Sequence, residues 1–403
     1  MNLKLPVREA PKVVPGTEPY RTLFPIGIGI GLYGVGLWLV HAAGWIPYPG
    51  AAHSALLIQG FQQSFILGFL MTAMPAFLHA PHCHRGEQAA AVSLLAAFAV
   101  LAALGWVAAA EIAYVGTLLV PVFMVVRRVL ARQAGPPPEE FALVAAGFAT
   151  GIVGAIWTAG AAAGLWTEPV ARYGLRLVAY GTVLMVVLGV GGLLVPTFMA
   201  MKEPLTIPGL AKAHERGPRR VLYATIIVSL LASLALEAAH RPVAGAWTRA
   251  LVGSVVLLWV WKIFRTPGRA DRLSFALWSA GWLLFAGLWA GVLFPLRPLV
   301  GAHIVFIGGF GFLTLGIATR VVVRHGGHPL PLESRVIGTA SIVLLGAALV
   351  ARVAAEAPDP ASAARTTALA VAAAAWIGAW GLWGSKAIPL VRRRPERASL
   401  PPR

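Results

Sequence analysis

Two histidines open long apolar runs: His53 before the run ending near residue 78, and His303 before the run ending near 323. A neutral imidazole ligates iron or copper through one ring nitrogen, and haem in electron-transfer sites often takes axial histidines. Gly60 lies seven residues after His53 and Gly311 eight after His303. Those offsets are about two helical turns, so each glycine is expected on its histidine's face, leaving a flat wall for a planar ring. The competing reading is interfacial, with each imidazole bonded to water and headgroups.

A denser set is HAPHCHRGE (79–87), which packs His79, His82, Cys83 and His84 into six positions, while RHGGHP (324–329) adds His325 and His328. Five imidazoles and one thiol suffice for copper or zinc. The H-x-x-H-C-H spacing matches no closed structural zinc motif, and Pro81 and Gly86 also suit a solvated turn. Arg320 closes an apolar stretch. It can snorkel to the interface or pair with an anion such as a haem propionate or a buried carboxylate.

The elements that must position these residues are membrane helices. The 403-residue chain is 58% hydrophobic and 12% charged, more apolar than a soluble domain of this length can bury. A spanning helix needs roughly 20 apolar residues. Twelve runs qualify: 22–44, 54–78, 88–109, 111–131, 140–166, 173–200, 219–239, 246–264, 273–294, 298–323, 333–355 and 365–391. The expected fold is an all-α polytopic bundle of twelve helices, between tails at 1–21 and 392–403. The third and fourth runs are split only by a tight turn from Gly105 to Glu111. The net charge of +18 collects in alternate connections and both tails. The positive-inside rule then places both termini in the cytoplasm and reads the charge as orientation, not nucleic-acid binding. His41, His53, His240 and His303 fall on the outer side, and the other six histidines on the cytoplasmic side. With no cleavable signal peptide at the N-terminus, the first run serves as the insertion signal. One cysteine excludes intrachain disulfides.

GFLMTAMPAF (68–77), GGLLVPTFMA (191–200) and GFLTLGIATR (311–320) end the second, sixth and tenth runs, an echo of three four-helix arcs. Span interiors look free of the ionisable groups a proton relay needs, which argues against a proton-pumping machine or a proton-coupled transporter. Glu237 and Arg241 have the spacing of a helix-end salt bridge. The tryptophans recur near span ends and read as interfacial anchors. There is no Walker A loop or dinucleotide fingerprint.

AHIVFIGGFGFLTLGIATRVVVRHGGHPL (302–330) resembles the C-terminal signature of the NnrS family, with His303, Gly308, Gly311, Thr314, Leu315, Thr319, Arg320, Val321, His325, Gly327, Pro329 and Leu330 in register. QGFQQSFILGFLMTAMPAF (59–77) and GGLLVPTFM (191–199) are similar to its second and sixth helices. The resemblance implies a twelve-span bacterial inner-membrane protein that binds haem and copper and is tied to nitric oxide metabolism and nitrosative stress. It implies His53 and His303 as axial ligands, with Arg320 and His325 as further cofactor contacts. A small diatomic such as nitric oxide is the expected partner; the electron donor and any catalytic residue remain unassigned. The family opens its second helix with H-A-H-E-M, where this chain has His53, Ser54, Ala55, Leu56 and Leu57. Leu193 and His328 replace two family arginines. By fold-level analogy, haem–copper oxidase subunits also carry haem-binding histidines on helices 2 and 10. The rival reading is a cofactor-free transporter or permease whose path runs along the glycine-interrupted stretches 191–196 and 308–316.

Overall fold

The computed structural model describes residues 18–78, 80–130, 137–199, 213–359 and 362–393, and these are helical with short turns. Most of both tails falls outside them. Among the described residues, eleven helices are long and apolar enough to cross a bilayer. They are α1 Tyr20–Ala42, α2 Gly50–Phe77, α3 Arg85–Ala103, α4 Val107–Leu130, α5 Phe141–Ala162, α6 Arg172–Phe198, α7 Gly217–Ala238, α8 Pro242–Val260, α9 Arg272–Leu293, α10 Pro298–His325 and, last in the chain, α12 Ala363–Arg392. Between α10 and α12 lies α11, Thr339–Ala354, which at 16 residues is shorter than a span. The protein is a multi-pass membrane protein, and the expected eleventh run is divided. Gly338 takes φ +59, where the left-handed region favours glycine, and breaks the run into Leu332–Ile337 and α11.

Helices consecutive in the chain pack as neighbours, and α1 also packs along α12. The Arg21 guanidinium donates to the Arg393 carbonyl at 3.1 Å, so α1 begins where α12 ends. We call this the tail end of the bundle; His53 and His303 lie at the far end. Three helices form the interior. The apolar stretches of α2, α6 and α10 are 78%, 83% and 72% buried, against 50% or less elsewhere. Each of the three contains a π-helical stretch, at Leu56–Gln62, Leu177–Leu184 and Ile304–Gly311; a fourth, at Val256–Val260, ends α8. A π turn widens the helix and shifts the phase of all that follows. They meet through Tyr180 against Phe306 (ring centroids 5.8 Å) and through Gln62 Nε2 donating to Thr314 Oγ1 at 3.0 Å.

Small residues set the approach of these helices. A methyl group on Gly191 would lie 1.9 Å from Trp261, a fully buried side chain whose indole N–H donates to the Leu188 carbonyl. Gly308, Gly309 and Gly316 are filled against Leu283, Leu284 and Leu277. These glycines are therefore packing seams, where a side chain would press on a neighbouring helix. Tryptophans divide by place. Trp45 and Trp106 are exposed near helix ends, whereas Trp376, Trp380 and Trp383 are buried and stack around Phe61 and Phe65.

Gly191→Ala should destabilise the protein by about 1–3 kcal/mol through overpacking, whereas Gly29→Ala, with no neighbour within 4 Å, should be neutral. Thermal unfolding in detergent checks the pair, and equal melting temperatures would refute the close packing.

Candidate functional site

The far end holds a cavity of about 240 Å³. His53 and His303 both line it, together with Trp38, Phe61, Trp376 and Arg352. Its histidines come from the first turns of α2 and α10, just ahead of the two π-helical stretches.

Each imidazole is anchored through the same atom. His53 Nδ1 lies 3.1 Å from the Gly34 carbonyl of α1, and His303 Nδ1 lies 2.8 Å from the Leu299 carbonyl of its own helix. A carbonyl only accepts, so the neutral ring must carry its hydrogen on Nδ1. That leaves Nε2 as the lone-pair nitrogen, and among the described residues neither Nε2 has a hydrogen-bond partner. Fixing Nδ1 on a carbonyl is how proteins set a ligating histidine's tautomer and orientation. Gly34 makes the first anchor accessible, because a Cβ there would lie 2.7 Å from Leu57 and 3.0 Å from Leu56. Trp38 meets the His53 ring edge to face at 5.5 Å.

Gly311 lines the cavity, and a Cβ there would meet Leu345 and the Phe306 carbonyl only at ordinary contact distance, 3.5 Å each, so the wall has room as expected. Gly60 does not line it. A Cβ there would lie 2.6 Å from Ile30, because the π turn from Leu56 rotates Gly60 off the face of His53.

Arg352, which sequence reasoning passed over, is buried in the cavity wall. It donates to Glu356 Oε1 at 2.6 Å, and Arg365 reaches the same oxygen at 3.7 Å. Two arginines share one carboxylate, so the wall carries an excess positive charge. The available signal was a lone arginine inside an apolar helix, which calls for a partner or a function.

Arg320 and His325 lie elsewhere. Seventeen residues of helix separate Arg320 from His303, about 25 Å along the axis. Arg320 Nε pairs with Glu333 Oε1 at 3.0 Å, and its guanidinium stacks over Phe198 at 4.8 Å. Its side chain is 12% exposed, so it is held against a carboxylate and does not snorkel. His325 Nδ1 stands 3.2 Å from Glu18 Oε1, and His328 Nε2 stands 3.2 Å from the Leu390 carbonyl. His79 lies outside the described residues. His82, Cys83 and His84 belong to a pinned loop, in which Arg128 donates to the carbonyls of Pro81 (2.7 Å) and His82 (2.6 Å), and Glu87 accepts from the His84 N–H (2.8 Å). Burial, reinforced by Glu87, pushes the Cys83 thiol up to about 12. Among the described residues, no three His, Cys, Asp or Glu side chains converge as a metal cage requires.

Two acidic residues also depart from expectation. Glu237 bonds Arg176 and Arg249, each at 2.6 Å, because those side chains approach it from α6 and α8; the expected pair with Arg241 is not made. Glu111 sits one turn inside α4 and is 3% exposed, since the turn after α3 ends at Trp106. A span interior therefore does hold a carboxyl.

Fold and site together define a multi-pass helical membrane protein with two tautomer-fixed histidines at one end. The family described as NnrS protein matches residues 17–394, so the chain belongs to the NnrS family. A comparison with curated proteins finds no match.

Glu333→Ala should destabilise by about 3–5 kcal/mol, because the Arg320 charge stays buried without its anion. The double variant Arg320→Met/Glu333→Leu should recover most of that loss in a thermal melt; an equal loss would show that the ion pair is not the cause. Cys83 should alkylate with iodoacetamide at pH 8 on the order of a hundredfold more slowly than a free cysteine, because only the thiolate reacts. The rate should rise as pH approaches about 12. Free-cysteine kinetics at pH 8, read by mass spectrometry, would contradict the raised thiol pKa.

Proposed function

We propose that this chain is a haem-binding inner-membrane protein that handles nitric oxide or a related diatomic, with His53 and His303 as the axial ligands of one haem. The observation that carries the reading is the shared cavity, in which both imidazoles spend Nδ1 on a backbone carbonyl and keep Nε2 free. Family membership supports the link to the nitric oxide response.

The donor set suits a haem. Two imidazoles would ligate the iron, Phe61, Phe306 and Trp376 offer aromatic wall, and the Arg352 guanidinium offers a cation to an acidic edge group. The cavity is smaller than the roughly 300–1,000 Å³ usual for drug-sized ligands, and Leu57 and Ile307 on its lining are half-buried. A bound haem would supply an iron that binds diatomics and exchanges one electron. The protein's part is to fix ligand tautomer, to exclude water with apolar walls and to present one positive charge. α1 begins and α12 ends at the same end of the bundle, and the arginine-rich connections support placing that end in the cytoplasm. His82, Cys83 and His84, the copper ligands expected from the sequence, stand on the loop pinned by Arg128 and Glu87.

The test is a visible spectrum of the purified protein, as isolated and after dithionite, beside His53→Ala and His303→Ala. A Soret band that shifts on reduction and collapses in both variants is expected. A protein that stays colourless after incubation with haem would overturn the reading and turn attention to transport.

A further inference from the structure

The π-helical turn of α2 has two polar faces. Leu57, Ile58, Phe61 and Gln62 turn toward the histidine cavity. Gln59 turns toward α4, where its Nε2 donates to Glu111 Oε2 at 2.7 Å. α2 and α4 run in the same direction, both away from the far end. Gln63 follows Gln59 by four residues and Tyr114 follows Glu111 by three, about one turn further along each helix. Gln59, Gln63, Glu111 and Tyr114 are all at most 3% exposed.

The polar atoms of this group are badly under-supplied. Neither the carbonyl nor the amide of Gln63 has a partner, and the Tyr114 hydroxyl has none. Among the described residues, Glu111 meets no cation. α5 carries no charged residue, α2 has only His53, and the charges of α3 are Arg85 and Glu87 at its tail end. Buried polar atoms in native structures are satisfied by protein or by ordered water. Four such groups on two facing helices give water the two to four partners it needs. An ionisable residue inside a membrane bundle marks a functional site by default.

We propose that Glu111, Gln59, Gln63 and Tyr114 form a hydrated intramembrane site that holds one exchangeable proton on the Glu111 carboxyl, with water bridging it to Gln63 and Tyr114. The site stands directly behind the wall of the histidine cavity, on the same turn of α2. It needs no cofactor, so its failure and that of the haem reading are separable. A sodium ion is the competing occupant, because carboxyl, amide and phenol oxygens also coordinate it.

Infrared difference spectroscopy of the full chain, labelled with carboxyl-¹³C glutamate, tests this. The expected result at neutral pH is a protonated-carboxyl band that shifts in D₂O, disappears in Glu111→Gln and is indifferent to sodium. Absence of the band, its survival in Glu111→Gln, or its loss when sodium is added at constant pH would each overturn the proposal. Should Glu111→Gln fail to fold, Gln63→Leu provides the second arm. It removes a water partner and should move the band, and an unmoved band counts against the site.

Discussion

Lipid hydrocarbon offers no hydrogen bonds, so every polar group placed in the spans must find its partner within the protein. Much of this structure follows from that demand. The carboxylates are spent joining helices: Glu87 to Arg127 and Arg128, Glu140 to Arg219, Glu237 to Arg176 and Arg249, Glu333 to Arg320, and Glu356 to Arg352 and Arg365. The pairs of Glu87, of Glu140, and of Glu237 with Arg176 tie together segments far apart in sequence. The Arg128 guanidinium shows the economy of the arrangement, since it binds Glu87 and two loop carbonyls at once and thereby fixes the turn between α2 and α3.

The same demand explains where irregular helix is found. A π turn shifts the backbone ladder and leaves a carbonyl poorly matched, which protein neighbours can tolerate better than lipid. Three of the four π stretches lie in α2, α6 and α10, the helices most enclosed by others. In α2 and α10 the stretch directly follows a cavity histidine. Widening the helix there turns Gln59 toward α4 while Gln62 reaches Thr314 across the bundle.

The all-helical fold and the limits of most spans were legible in the sequence, though not their number, because hydrophobic length is a coarse signal that dominates burial in a membrane. α6, expected at 173–200, is found at Arg172–Phe198, and α10, expected at 298–323, at Pro298–His325. Phase within the helices was not legible. Gly60 was placed on the face of His53 by counting regular turns, and the π stretch from Leu56 defeats that count. Nor does hydropathy reveal a break such as Gly338, whose neighbours on both sides are equally helical. Ion partners were misjudged for a related reason. Glu237 and Arg241 are close in sequence, but Arg176 and Arg249 arrive from other helices and supply two bonds where the local pair would supply one. The pairing of His53 with His303 was visible because it depended only on which helix ends share a face of the membrane.

The departures from the family pattern around His53 acquire a physical sense here. Where relatives carry a second histidine, a glutamate and a methionine, this chain has Ala55, Leu56 and Leu57. Leu56 is fully buried against Gly34, the residue whose carbonyl anchors His53. Leu57 presses on the same glycine and lines the cavity. A glutamate at 56 would put a charge into the α1–α2 seam with no cation beside it, at a desolvation cost that apolar packing avoids. The leucines instead hold α1 close enough for the Gly34 carbonyl to reach Nδ1. The substitutions thus remove donors from this wall and strengthen the placement of the one that remains.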